Sequence, residues 1–135
     1  MRILALDVGD RRIGVAVSDP TGLLARPLTI IKRKDIASDI SALCQLVNDQ
    51  EASKVIIGLP LSLDGRVGSQ AEKVKSFVEK LTASLFIPVE TRDERFSTAI
   101  VRERRLESGL KKKKRQAPDD AQAAAVILQG YLDED

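Results

Sequence analysis

The chain has 135 residues and a formal net charge of +2, and its 43% hydrophobic and 31% charged residues are typical of one globular domain. It contains no histidine, which excludes a Ser-His-Asp triad, a Cys-His pair and a histidine-containing zinc site. The single cysteine, Cys44, cannot form an internal disulfide, and no apolar run approaches the roughly 20 residues of a membrane span. We therefore expect a single cytoplasmic domain over residues 1–135, whose chemistry depends on carboxylates, hydroxyls, amines or a metal.

The first half of the chain predicts three strands, a helix and a fourth strand. Residues 3–8 and 13–17 are apolar runs of strand length, and the short connection Gly9-Asp10-Arg11 between them predicts a hairpin. A third strand is expected around residues 26–32. The period of the apolar residues then becomes that of a helix with a core-facing stripe of Ile36, Ile40, Leu43 and Val47. Residues 55–59 predict a short buried strand.

The second half predicts three helices and a fifth strand. In the first of these helices, Ser69 and Glu72 match a capping box, and the apolar stripe consists of Ala71, Val74, Val78 and Leu81. Residues 86–90 predict a strand, and Pro88 within it favours a sheet edge. Two helices are expected over about 97–106 and 118–131. The order βββαβαβαα predicts an α/β fold with a mixed sheet covered by helices.

Basic residues are concentrated in one stretch of the chain. Residues 92–115 contain ten lysines and arginines against four acidic residues. The stretch ends in a low-complexity run of Lys111, Lys112, Lys113, Lys114 and Arg115. Because such a run repels itself, it predicts a mobile basic loop at about residues 110–117. The loop is either only solvated or attracts the phosphate backbone of a nucleic acid, and the sequence leaves both interpretations open.

Two carboxylates are placed toward the ends of predicted strands. Asp7 shares the alternate face of the first strand with Ile3 and Ala5, where an ionised group is costly unless it is paired or metal-bound. Glu94 follows the fifth strand. If the first, fourth and fifth strands are parallel, both acids lie toward the carboxyl ends, where such sheets build their sites. The alternatives are that Asp7 caps a turn and that Glu94 belongs to a solvated loop.

A third carboxylate, Asp120, falls on the apolar side of the last predicted helix, whereas its neighbour Asp119 falls outside it. The apolar side consists of Ala124, Ile127, Leu128 and Tyr131. The alternative is that both acids only complement the positive end of the helix dipole. Three convergent acids without histidine suit the oxygen coordination of Mg²⁺ or Mn²⁺.

The series of motifs resembles the YqgF family, the Holliday-junction-resolvase-like branch of the RNase H-like nucleases. The motif Asp-Val-Gly-Asp-Arg-Arg-Ile-Gly-Val-Ala at residues 7–16 carries the resemblance first. It continues in residues 56–60 with Asp64-Gly65, in residues 93–98, and in Asp120 with residues 123–131. The resemblance spans roughly residues 2–132 in order and without large insertions.

The resemblance implies an RNase H-like fold with a five-stranded mixed sheet of order 3-2-1-4-5, in which three antiparallel strands are followed by parallel ones. It also implies a metal-dependent nuclease with Asp7, Glu94 and Asp120 as catalytic residues and as ligands of Mg²⁺ or Mn²⁺. The family's attributed task is processing the 5′ end of the 16S rRNA precursor, and cleavage of Holliday junctions is the older proposal. Asp10 departs from the small hydroxyl residue expected at its position, and Asp119 makes a one-residue slip in the last ligand conceivable.

Nucleic acid is accordingly the expected partner, as precursor rRNA within a ribosomal particle or as branched DNA, bound by a monomer or a homodimer. Arg12 and Arg95 are candidate phosphate-binding residues, and for each the alternative is surface charge or a local ion pair. The basic run 111–115 is the third candidate contact to the phosphate backbone.

Two other classes of function are compatible with parts of the sequence. A non-catalytic nucleic-acid-binding module would keep the fold and lose the acids, but all three carboxylates are present. An actin-like phosphotransferase also begins with an Asp-x-Gly hairpin after a strand. That fold clamps its nucleotide between two such domains, and this chain supplies one.

Overall fold

The computed structural model describes residues 2–60, 68–93 and 116–134, and in the last stretch it describes side chains from Asp120 onward. The elements are β1 (Arg2–Val8), β2 (Arg12–Ser18), β3 (Ala25–Lys32), α1 (Ile36–Gln50), β4 (Ala52–Leu59), α2 (Ser69–Ser84), β5 (Val89–Asp93) and α3 (Gln116–Leu132). The helix predicted over about 97–106 lies outside the described residues.

The five strands form one mixed sheet in the order β3-β2-β1-β4-β5. The strands β1, β2 and β3 are antiparallel, with Leu6 opposite Val15 in the first hairpin. The pairs β1–β4 and β4–β5 are parallel. The predicted hairpin, the mixed sheet and the order 3-2-1-4-5 are confirmed. The carboxyl ends of β1, β4 and β5 therefore lie at one edge of the sheet.

Helices cover both faces of the sheet. On one face, α1 and α2 pack against large side chains of alternate strand positions, including Leu4, Leu6, Val15 and Ile57. On the other face, α3 packs against Ala5, Ala16 and Ile56. Two of those three residues are alanines, so the backbone of α3 can come close to β1 and β2. This close approach determines the position of the candidate site.

The helix α1 is capped by Asp35, whose side chain accepts a hydrogen bond from the backbone N–H of Ser38 at 2.8 Å. Hydrogen bonds from the Ser38 backbone and hydroxyl lower the pKa of Asp35. The prediction that Ile36 faces the core is wrong, because Ile36 is the first residue of the helix and is 39% exposed. A carboxylate, Asp39, is buried instead, with 2% exposure, one and two turns before Leu43 and Val47.

The start of α2 differs from the predicted capping box. Ser69 is the first helical residue, and the N-cap is Gly68, which offers no side-chain hydrogen bond. The backbone N–H of Glu72 donates to the Gly68 carbonyl at 3.0 Å, so the first turn closes through the backbone alone. Along the stripe, Phe77 is buried and Val78 only partly so, because α2 turns its Val74 side most directly to the sheet.

The fifth strand is displaced from its predicted position. It covers Val89–Asp93 rather than 86–90, and Phe86 is fully exposed. Pro88 has no N–H to give to a ladder, so it precedes the strand, and its carbonyl accepts from the Val55 N–H at 3.0 Å. The predicted edge position is confirmed, since β5 ends the strand order. The displacement places Glu94 directly after the strand in sequence.

The last helix begins two residues before the predicted start, at Gln116. Positions 116 and 117 of the predicted basic loop are therefore helical, and positions 110–115 lie outside the described residues. None of the helices in the described ranges is long and apolar enough to cross a membrane.

Candidate active site

Asp7 lies near the carboxyl end of β1, on the face of the sheet that α3 covers. Its cross-strand partner is Gly14 of β2. Two residues earlier, the pair of Ala5 and Ala16 packs against α3, and side chains of alternate residues share a face. Asp7 is only partly buried, whereas Leu6 and Val8 on either side are buried on the opposite face. The strand thus presents a carboxylate at the rim of the α3 face.

The backbone of α3 touches the sheet beside Asp7. A Cβ atom built on Gly14 would lie 1.9 Å from the carbonyl oxygen of Asp120 and 2.8 Å from the backbone nitrogen of Ala121. Only a glycine allows the helix to come this close. Because Asp7 is opposite Gly14 and Asp120 lies over it, the structure brings two of the three predicted acids to one place. The sequence analysis did not assign Gly14 a role, although a glycine inside an apolar strand signals a close approach.

Asp120 is held by charge rather than by a hydrogen bond. The Nε atom of Arg12 lies 2.7 Å from its Oδ2 atom, and the two side chains are 41% and 30% exposed. Oδ2 itself is buried and accepts no hydrogen bond from the described residues, so the Arg12 N–H is close without being aimed at it. A hydrogen bond requires alignment as well as proximity, so this contact is an ion pair alone. The oxygen keeps lone pairs for another electrophile.

The strand that leads to Glu94 is anchored to the same helix that carries Asp120. Lys54 of β4 donates to the Tyr131 hydroxyl of α3 at 2.7 Å and lies 2.8 Å from the Glu90 carboxylate of β5. Both contacts raise the pKa of Lys54, and the contact with Glu90 has the larger effect. Arg92 of β5 pairs with Glu134 and lies over the Tyr131 ring, with its guanidinium carbon 5.6 Å from the centroid. The end of β5 therefore has a fixed position relative to α3.

A further carboxylate, which sequence reasoning missed, supports the turn between β1 and β2. The buried Asp39 accepts from the Arg33 Nε atom and from the Lys34 backbone N–H, both at 3.0 Å. Arg33 also donates to the Gly9 carbonyl at 2.8 Å. The signal was available, since Asp39 is four residues before Leu43 on the buried side of α1.

Three of the predicted site residues, Asp7, Arg12 and Asp120, are described, and they meet around Gly14. For Arg12, the structure shows the local ion pair that the sequence left open. Glu94, Arg95 and the basic run 111–115 lie outside the described residues, as does the side chain of Asp119.

The donor set fits a divalent cation. Carboxylate oxygens are the ligands that Mg²⁺ and Mn²⁺ prefer, and a buried carboxylate oxygen without a hydrogen bond is available for a cation. Within residues 2–60, 68–93 and 120–134, no group of three acidic or cysteine side chains is placed to hold a metal. Glu94, the third acid that the sequence predicts for the site, lies outside the described residues.

Gly14→Ala is expected to lower the free energy of unfolding by about 2–3 kcal/mol, because the added methyl group overlaps the α3 backbone. The forced shift of Asp120 should also reduce the cleavage activity that the family resemblance implies by about 100-fold, since a misplacement of about 1 Å has effects of that order. Chemical denaturation and single-turnover cleavage measure the two effects. Gly130→Ala on the same helix is the matched control, because its new methyl group meets nothing within 4 Å. Equal stability of both variants would contradict the close approach.

The comparisons with known proteins agree on the family. The model of the RuvX family, described as Holliday junction resolvase, matches residues 1–134. A relative from Desulforamulus reducens named "Putative pre-16S rRNA nuclease" is 44% identical over 133 residues, which cover 98% of this chain and 97% of the relative. Relatives with the same name from Clostridium novyi and Dehalococcoides mccartyi are 45% and 49% identical, over 98% and 94% of both chains.

Solved structures show the same fold at much lower identity. T. thermophilus RuvC in complex with a Holliday junction substrate superposes with a TM-score of 0.62 at 15% identity, covering 98% of this chain and 93% of that one. The Fowlpox virus resolvase in complex with Holliday junction DNA gives a TM-score of 0.56 at 14% identity, over 99% and 100%. These matches confirm the predicted RNase H-like fold. The family model matches almost the whole length of this chain, and relatives of similar length are 44–49% identical to it. The chain therefore belongs to the RuvX family of resolvase-like nucleases.

Proposed function

We propose that this protein is a metal-dependent endonuclease that hydrolyses phosphodiester bonds at the 5′ end of the 16S rRNA precursor, and that residues 1–135 form its single nuclease domain in the cytoplasm. The observation that carries the proposal is the meeting of Asp7 and Asp120 at Gly14, with a buried carboxylate oxygen that accepts no hydrogen bond. The names of the curated relatives support the choice of substrate.

Asp7 and Asp120, with Glu94, would hold Mg²⁺ or Mn²⁺ as catalytic residues. Glu94 is the residue after Asp93 in sequence, and it therefore directly follows β5, whose Glu90 and Arg92 contact Lys54 and the Tyr131 ring of α3. When bound, the divalent cations supply an activated water and stabilise the leaving oxygen of the phosphodiester. The contribution of this chain is to fix the carboxylates through the close packing of α3 on β1 and β2.

Arg12 has two partners in this proposal. It lies against Asp120 in the structure, and a cation bound to Asp120 would take over the charge that Arg12 neutralises. The Arg12 side chain is 41% exposed, and its guanidinium is then available to a substrate phosphate, which it can bind with two parallel hydrogen bonds. The ion pair and the phosphate contact are therefore alternative interactions of one side chain.

Arg12→Gln is expected to bind Mn²⁺ up to about fivefold more tightly, because an exposed ion pair contributes up to about 1 kcal/mol. The variant should bind RNA in Ca²⁺ about tenfold more weakly, because it loses a hydrogen bond between charged groups. A titration of Mn²⁺ followed by electron paramagnetic resonance and a fluorescence anisotropy titration of RNA measure the two constants. Arg12→Lys is the control that keeps the charge and loses the planar fork. Mn²⁺ affinity that does not rise in Arg12→Gln would contradict the competition.

Further contacts to the phosphate backbone are assigned to Arg95 and to the run Lys111, Lys112, Lys113, Lys114 and Arg115. These residues remain predictions from the sequence, since all lie outside the described ranges. Their concentration within residues 92–115, next to Glu94 and before α3, supports a binding surface that borders the metal site.

The decisive experiment compares labelled 16S rRNA precursor, unstructured single-stranded RNA and a four-way DNA junction in parallel, each with Mg²⁺, with Mn²⁺ and with EDTA. The proposal expects metal-dependent cleavage of the precursor near its mature 5′ end and no cleavage in EDTA. Binding of the precursor without cleavage under any metal condition would instead identify a non-catalytic nucleic-acid-binding module.

Cleavage of four-way DNA is the second candidate function. It is favoured by the description of the family model and by the fold shared with two resolvases that were solved on junctions. A junction has two-fold symmetry, so its resolution requires two active sites in a dimer. Paired symmetric cuts in the junction, together with a homodimer in sedimentation analysis, would establish this function. A monomer that cuts only the RNA precursor would exclude it.

A further inference from the structure

A strongly basic hollow lies beside the candidate metal site, at the turn between β1 and β2 and the end of β3. Five residues line it: Asp10, Arg11, Arg12, Lys32 and Arg33. Four of the five are cationic. Arg12 connects the hollow to the metal site, since its Nε atom lies 2.7 Å from Asp120.

The backbone that carries these side chains is held rigidly. Arg33 donates from its backbone N–H to the Arg11 carbonyl at 2.9 Å and from its Nη1 atom to the Gly9 carbonyl at 2.8 Å. Its Nε atom is bound by the buried Asp39, and its guanidinium lies over the Phe77 ring at 5.1 Å from the centroid. The guanidinium of Arg33 is thus used in contacts within the protein, and these contacts fix the positions of the neighbouring Arg11 and Lys32.

The strand register concentrates positive charge on the face of the candidate site. Arg12 and Lys32 are direct cross-strand partners, and Gly14 and Ile30 are the next pair on the same face. Like charges directly opposite each other destabilise a sheet unless an anion lies nearby, and for Arg12 that anion is Asp120. Arg33 is likewise paired with Asp39, and the carboxylate of the hollow, Asp10, has Lys73 at 3.5 Å. The positive charge offered to a ligand is therefore that of Arg11 and Lys32.

We infer that Arg11 and Lys32 form a phosphate-binding subsite that holds the nucleic-acid strand of the substrate on the β3 side of the candidate metal site. The ligand is the phosphodiester backbone and not a base, because none of the five lining residues is aromatic and backbone phosphates need only cations. Arg11 and Lys32 are both exposed, so they can reach a nucleic-acid strand that crosses from Asp120 toward β3. The inference deepens the proposed function and depends on it for the identity of the bound strand.

The test compares the double variant Arg11→Gln/Lys32→Gln with a control that loses the same charge elsewhere. Arg26→Gln/Lys80→Gln is that control: both residues are exposed, and Arg26 is on the same strand as Lys32, six residues or roughly 20 Å away. Fluorescence anisotropy with a labelled single-stranded RNA in EDTA, repeated over a range of salt concentrations, gives the affinity and its salt dependence.

The subsite variant is expected to bind about tenfold more weakly, with the slope of log affinity against log salt reduced by about 1.4 for two lost phosphate contacts. The control should stay within about twofold of the wild type, since distant charges are screened. An unchanged slope in the subsite variant, or equal losses in both variants, would overturn the inference.

A separate measurement distinguishes this failure from a failure of the proposed function. Wild-type protein that binds RNA through the subsite, but cuts neither precursor RNA nor a DNA junction in Mg²⁺ or Mn²⁺, would refute the nuclease and leave the subsite standing. Wild-type cleavage together with an unaffected salt slope in the subsite variant would refute the subsite and leave the nuclease standing.

Discussion

Asp7→Asn is expected to reduce metal-dependent cleavage by at least about 1,000-fold, because the loss of this proposed metal ligand removes several kcal/mol of transition-state stabilisation. The asparagine keeps the size of the side chain at its position opposite Gly14. It also removes one negative charge from the place where Asp120 lies, so repulsion in the metal-free protein falls. The thermal midpoint of unfolding should therefore be unchanged or higher. Single-turnover cleavage at saturating Mn²⁺ and thermal denaturation in EDTA are the two measurements.

Asp49→Asn is the matched control for this prediction. Asp49 is an exposed residue near the end of α1 that accepts a hydrogen bond from Gln45, and it lies in neither the metal site nor the hollow. Its variant should cleave at the wild-type rate within about twofold, as surface substitutions away from special features usually behave. Wild-type cleavage by Asp7→Asn at saturating Mn²⁺ would remove Asp7 from the metal site.

The pairing of neighbouring strands could be predicted from the sequence because that information is local, whereas the order 3-2-1-4-5 was implied by the family resemblance. A short glycine-containing connection makes β1 and β2 antiparallel, and the helix between β4 and β5 makes that pair parallel. The position of β5 could not be predicted in the same way. Both 86–90 and 89–93 contain β-forming residues, and only the pairing of Val89 with Val55 decides between them.

For the candidate site, the sequence predicted that Asp120 faces the sheet and did not predict the contacts that Asp120 makes. The helical phase places Asp120 on the apolar side, and it meets the sheet as expected. The Arg12 contact depends on how closely α3 approaches β2, and that distance is determined by Gly14 together with Ala16, a tertiary property. Asp39 was missed because Ile36 was assigned to the core side of α1 in its place.

Asp120→Asn is expected to reduce cleavage by at least about 1,000-fold, whereas Asp119→Asn should stay within a few-fold of the wild type. The two substitutions form a matched pair, since each removes one negative charge from the first turns of α3 and has the same effect on the helix dipole. They differ in position, because Asp120 lies over Gly14 and contacts Arg12. A difference between them therefore measures coordination and not helix stability.

Mn²⁺ binding gives a readout that does not depend on turnover. Asp120→Asn should weaken it by about tenfold or more, the effect of losing a charged ligand, and Asp119→Asn should leave it within about twofold. The Asp120→Asn substitution also leaves Arg12 without its charge partner, so RNA binding in EDTA should be equal to or tighter than that of the wild type. If Asp119→Asn loses Mn²⁺ and cleavage while Asp120→Asn keeps both, the ligand is Asp119. The close approach of Asp120 to Gly14 would then serve only the packing of α3 on the sheet.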